Sequence, residues 1–203
     1  MLLVPLMMVL AQAPVTEDLP RAGLFGAGFN MEPVSIGPMQ AFTRHGSVQG
    51  ASLSTGVQID LGTRWALRIH LEGSGAAGTD VNFAEFGLAP GFLYRWRDSA
   101  EQRWVPYAGA GLKFGGVGAS RGLLGLEAAA VTAMDFDWDD FDHHDADPDT
   151  ETRFGTFPEV WAGVEWHPNR WFGLTFQGSY TFARLVHTNV HMFQERVGVR
   201  FSL

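Results

Sequence analysis

Residues 157–203 read FPEVWAGVEWHPNRWFGLTFQGSYTFARLVHTNVHMFQERVGVRFSL. After Trp171, large apolar side chains fall on every second position, at Phe172, Leu174, Phe176, Tyr180 and Phe182, with Gly178 the one gap. Gly173, Thr175, Gln177, Ser179 and Thr181 stand between them. Period-two alternation makes a strand with one greasy face and one small or polar face. The final stretch repeats it, with Phe193, Val197, Val199, Phe201 and Leu203 against Gln194, Arg196, Gly198, Arg200 and Ser202. Upstream, Phe157–Trp166 sets Val160, Ala162, Val164 and Trp166 opposite Glu159, Trp161, Gly163 and Glu165, and the polar HPNR at 167–170 turns it into the next strand.

The same pattern extends towards the N-terminus. A strand is expected at Ala22–Met31, followed by a loop over 32–49, which holds two prolines among glycine and polar residues. Further strands are expected at Ala51–Leu61, Trp65–Gly73, Val81–Trp96 and Trp104–Gly116. Pro90 implies a bulge or a break in the fourth. Gly62, Thr63 and Arg64 form a tight turn, and a segment from 117 to 154 breaks the alternation. That makes eight strands, with long connections after strands one, three, five and seven and short polar turns after two, four and six. Short turns on one side and long loops on the other characterise transmembrane barrels, and strands of about ten residues suffice to cross. The fold expected is an all-β, eight-stranded, antiparallel up-and-down transmembrane β-barrel over residues 22–203.

Composition agrees. A 203-residue chain with 25 glycines and 13% aromatic residues suits closely approaching strands. After the N-terminus no apolar run is long enough for a transmembrane helix. A net charge of −8 argues against nucleic-acid binding. With no cysteine, disulfides, thiol catalysis and a Cys-linked lipid anchor are excluded. Residues 1–13, MLLVPLMMVLAQA, end in an Ala-Gln-Ala that fits a signal-peptide cleavage site, although no basic residue precedes the apolar run; export is the expectation, with 14–21 as a linker.

Alternation alone fits equally a soluble, lipocalin-like barrel with its greasy face turned inward onto a ligand. The tryptophans favour the membrane: Trp65, Trp96, Trp104, Trp166 and Trp171 all come to one rim of the meander, as an interfacial aromatic girdle would. Arg68, Glu72, Glu85, Arg95, Lys113, Glu159, Glu165, Arg196 and Arg200 take the other face. In an eight-stranded barrel, whose interior holds side chains and little else, they are expected to pair in a filled lumen.

The pattern over 22–203, with VPYAGAGLKFG at 105–115 and the ending Gly198-Val199-Arg200-Phe201-Ser202-Leu203, resembles the small eight-stranded outer-membrane barrels, the OmpA-type membrane domain and its OmpX-like relatives. The resemblance implies residence in a Gram-negative outer membrane, contact with lipid bilayer and lipopolysaccharide, and a C-terminal strand read by the barrel-insertion machinery. That signal usually ends in Phe, where this chain has Leu203.

Three polar stretches are candidates for chemistry. Asp135–Glu151, DFDWDDFDHHDADPDTE, could hold a divalent cation such as calcium, with Asp139, Asp140, Asp142, His143, His144 and Asp145 the candidate ligands; it lacks the spacing of an EF-hand and reads equally as a solvated acidic loop. Gly115–Gly122 has phosphate-loop glycines without the Lys-Ser/Thr ending and reads as a strand exit. His187-Thr188-Asn189 lacks the His-x-Ser of the barrel lipid A deacylases, so no catalytic residue is assigned. The expected role is structural or adhesive, without an open solute pore or catalysis.

Overall fold

A computed structural model describes residues 28–77, 82–98, 102–120, 123, 150–169, 171–185 and 188–202. The leader 1–13, the linker 14–21, the candidate metal ligands of the acidic segment, His187 and Leu203 lie outside these residues. Eight strands form: β1 Phe29–Phe42, β2 Ser47–Asp60, β3 Trp65–Ala77, β4 Asn82–Arg95, β5 Trp104–Ser120, β6 Thr150–Trp166, β7 Phe172–Arg184 and β8 Asn189–Ser202. Each pairs antiparallel with its sequence neighbours, and β8 returns to β1, closing the barrel.

Alternation turns out as the sequence reads it. Ile36, Phe92 and Leu112 stand outward, 58%, 57% and 47% exposed, while Lys113, next to Leu112, is wholly buried. Phe176 on β7 and Ile59 on β2 share the outward parity of their strands. The greasy rows therefore do not meet at the centre, which removes the lipocalin-like reading.

The N-terminal third departs from expectation. Of the strand foreseen at 22–31, residues 22–27 lie outside the described residues and 29–31 open β1, while the loop foreseen at 32–49 is the rest of β1, a turn at 43–46 and the start of β2. The prolines that signalled a loop have found places where the ladder tolerates them. Pro33 lies in a bulge, where the register with β2 shifts between Glu32 and Ser35. Pro38 faces a gap in the β1–β8 pairing between Ile36↔Val197 and Met39↔Gln194. Gly37 and Gly50 are wall positions at which a Cβ would come 1.7 Å from the Glu195 carbonyl oxygen and 2.0 Å from that of Gly75. Pro90 marks a break and not a bulge, because the β4–β5 register is unchanged from Leu88↔Phe114 to Gly91↔Gly111.

Strand lengths and loops change accordingly. Strands run 13 to 17 residues, so much of what read as long loops is strand. Only the connection 121–149 is long; those at 43–46, 78–81 and 185–188 are short. It leaves from the end opposite the Trp rim, termed the outer end below. At that rim the tight turn read between β2 and β3 is present, with Gly62 at φ 120° supplying its left-handed residue.

Candidate functional site: a charged lumen inside a lipid-facing wall

Every charge assigned to the inner face is buried in the lumen. Near the Trp rim, Arg95 reaches from β4 to β6 and β2 at once. Its Nε donates to Glu165 Oε2 at 3.1 Å and its Nη1 to Asp60 Oδ1 at 2.7 Å. Arg200 on β8 joins the same two carboxylates, pairing with Glu165 and lying 3.9 Å from Asp60. His167, in the turn after β6, donates from Nε2 to Glu165 Oε2 at 3.2 Å, and burial pushes its imidazole below the ordinary histidine range.

Midway up, the Arg68 guanidinium lies 4.9 Å over the Trp161 ring, donates to Gln177 and sits 2.9 Å from His70 Nδ1. Tyr107 donates to the same Gln177 oxygen at 3.1 Å. Above this, Lys113 Nζ lies 2.9 Å from Glu72 Oε2, pairs with Glu85 and stands 4.0 Å from Glu159. Arg196 enters from β8, donating to Glu72 Oε1 at 2.9 Å and to Gln194 Oε1 at 2.8 Å. Gln194 donates to Glu85 Oε2 at 2.9 Å. One ammonium and one guanidinium thus tie carboxylates on β3, β4 and β6 across the lumen.

Beyond this layer the interior turns apolar. Met39, Val48, Phe83, Val117, Phe157 and Met192, among others, pack into a cluster that fills the outer end of the lumen. The contents of the barrel run from paired charge at the Trp rim to hydrocarbon at the outer end.

Outside, Trp65, Trp96 and Trp171 are exposed at the rim, and Trp104 stacks on Trp166 with centroids 5.8 Å apart. Tyr94 bridges Trp65 and Trp96 edge-on. Trp161, in contrast, points inward and belongs to the lumen. About ten residues up the strands lies a second aromatic row: Phe42, Phe86, Phe114, Phe154, Phe182 and Phe193. At about 2.4 Å of axial rise per residue for tilted strands, the rows are on the order of 25 Å apart, the height of a membrane-embedded apolar band.

Reasoning from the sequence missed Asp60, His70, Gln177 and Gln194 as members of the lumen network, although all share the inward parity of the charges it found. It also missed an exception: Glu195 points outward, between Phe193 and Val197. Among the described residues no hydrogen bond or ion pair reaches its carboxylate. No group of His, Asp and Glu arranged to hold a metal occurs among the described residues.

No family model matches the sequence, and no curated protein matches it. Solved structures do. Neisserial surface protein A superposes with a TM-score of 0.64 at 14% identity, over 87% of this chain and 98% of that one. Ail, the attachment invasion locus protein of Yersinia pestis, gives 0.48 at 17% identity, over 86% and 99%. The outer membrane protein OprG of Pseudomonas aeruginosa gives 0.45 at 8%, over 91% and 98%. The likeness to Neisserial surface protein A, at 14% identity, speaks for fold alone. With its wall apolar outside and its charges paired within, the chain is a small eight-stranded, antiparallel, up-and-down transmembrane β-barrel.

Proposed function

We propose that the protein is exported to a Gram-negative outer membrane and acts there as a structural or surface-contact barrel, adhesive at its outer end, with neither an open solute pore nor catalysis. The cross-lumen network around Lys113 carries this reading. Charges held at 0–4% exposure and tied across five strands, β3 to β6 and β8, fill that layer among the described residues, and the apolar cluster packs the outer end. The one long connection, 121–149, carries most of the acidic stretch and leaves from the outer end, opposite the Trp rim. There it meets surface partners, lipopolysaccharide among them. The β8 edge with outward Phe193, Val197 and Phe201 is the segment the insertion machinery reads.

Three measurements test the parts separately. The protein should fractionate with the envelope and show a heat-modifiable gel shift; recovery as a soluble periplasmic protein would end the reading. Purified barrel in planar bilayers should give no stable conductance step. Incubation with lipid A should release no acyl chains, and measurable release would replace the surface-contact role with a hydrolase.

A further inference from the structure

The outer wall between β1 and β4 holds a half-open groove of about 550 Å³. Val34, Leu53, Leu71 and Phe86 form its sides, and Gly73 and Ala84 its floor. Leu53, Gly73 and Phe86 are cross-strand partners, so the absent side chain at the middle position makes the notch. Thr55, also at the groove, donates its hydroxyl to the Glu32 carbonyl at 3.3 Å and leaves the surface apolar.

Gly73 is not there because the backbone needs it. A Cβ at Gly73 would meet nothing nearer than the Glu85 carbonyl oxygen at 3.8 Å, and one at Gly75 nothing nearer than that of Phe83 at 3.6 Å. At Gly115, by contrast, a Cβ would fall 1.9 Å from the Phe86 carbonyl oxygen. The glycines of β3 keep space open on the lipid side, where most other wall glycines are forced by close approach.

The groove also opens upward. The outer aromatic row crosses β1 and β4 to β8, but on β2 and β3 the outward positions at that height are Ala51, Gly73, Gly75 and Ala77. Ala51, Gly75 and Ala77 continue the groove upward from Gly73, and above them the outward cross-strand pair Gln40 and Gln49 leads to the 43–46 turn, where Arg44 and His45 are exposed and hydrogen-bonded to each other at 2.6 Å. From Leu53 to that turn is on the order of 17 Å along the barrel axis. A slot that is apolar at depth, continuous with the lipid-facing band and cationic at its mouth fits an amphiphile with an anionic head.

We propose that this groove seats one acyl chain of a lipid A-type glycolipid in the outer leaflet, with a phosphate of the same lipid turned towards Arg44. The proposal deepens the lipopolysaccharide contact above and rests on that outer-membrane reading. It is tested with purified full-length protein folded in detergent, so a wrong cellular location would not affect the outcome.

Native mass spectrometry would count lipid A retained per barrel over a titration. Wild type should saturate at one retained molecule, and Gly73→Leu, which fills the notch, should weaken retention about tenfold. Arg44→Ala should weaken it severalfold, and Ala162→Leu, which enlarges an outward position on the far wall, should leave it unchanged. All variants should keep the heat-modifiable shift that reports a closed barrel; should Gly73→Leu lose it, Gly73→Val takes its place. Equal retention in wild type and the filled variant, or equal loss from Ala162→Leu, would overturn the site. Retention of a phospholipid in preference to lipid A would overturn the ligand.

Discussion

Lys113 and Glu195 show the two ways a charge can sit in this wall. Lys113 is enclosed by Glu72, Glu85 and Glu159, so removing its charge would strand Glu85 and leave Glu72 and Glu159 to share Arg196. Lys113→Met is expected to cost about 3–5 kcal/mol of unfolding free energy, because the loss of one partner strands buried charge. Glu159→Gln should change it by less than about 1 kcal/mol, since Glu159 lies at the edge of the network, 3.7 Å from Arg196 and 4.0 Å from Lys113. Urea titration in lipid vesicles measures both. Glu195 is the opposite case, a carboxylate facing lipid without a described partner, and Glu195→Leu should stabilise the barrel by about 1 kcal/mol. His167 adds a dependence on pH. Its folded-state pKa lies below the unfolded value of ~6.5, so the unfolded chain takes up the proton first. Its contribution to stability is intact above that value and is lost as pH falls towards the folded pKa; His167→Gln should flatten the decline below about pH 6.5. Parity made most of the lumen legible at this scale, because a period of two assigns each residue of a strand to one face. It does not choose partners, and so Asp60 and His70 were passed over although they stood in the right rows. Glu195 breaks the pattern itself, and periodicity has no means of announcing an exception.

Among the elements, β1 and β2 were the hardest to read and β6 is the most unevenly held. Pro33 and Pro38 carry a loop signal that local sequence cannot cancel, because what makes them tolerable is a bulge and a ladder gap supplied by β2 and β8, the latter more than 150 residues away. Gly37 and Gly50 look like loop residues for a similar reason, when their smallness answers to the backbone of a neighbouring strand. β6 pairs with β5 over its whole length, from Thr150↔Ser120 to Trp166↔Trp104, but with β7 only from Glu159↔Thr181 to Trp166↔Leu174. Above Pro158 no ladder joins β6 to β7 among the described residues, and the Arg153 guanidinium donates to the Arg184 carbonyl across the seam. Hydrogen exchange should therefore divide β6. Amides of 152–157 that point towards β7 should exchange at least tenfold faster than those of 159–165 in detergent micelles. Uniform protection along β6 would mean that the seam is closed in solution.

For the whole molecule, eight strands and their order were legible because each hydrophobic row is bounded by a polar turn or a tryptophan, and up-and-down order follows from short connections. The apolar plug at the outer end was not legible. Its members, Met39, Phe83, Val117, Phe157 and Met192, occupy inward positions that the alternation reserves for small or polar residues, and they meet only when the barrel closes. The whole barrel rests on one inversion: greasy rows outward to lipid, charged rows inward to a packed lumen. The chain has no cysteine, so single-cysteine spin labels can test that inversion position by position in reconstituted vesicles. Labels at Leu53, Leu112 and Val197 should collide freely with oxygen and hardly at all with a water-soluble nickel chelate, while labels at the inward positions Ser54 and Gln194 should be shielded from both. Equal accessibility of the two rows, or nickel collisions at Leu112 matching those of a surface turn, would contradict it.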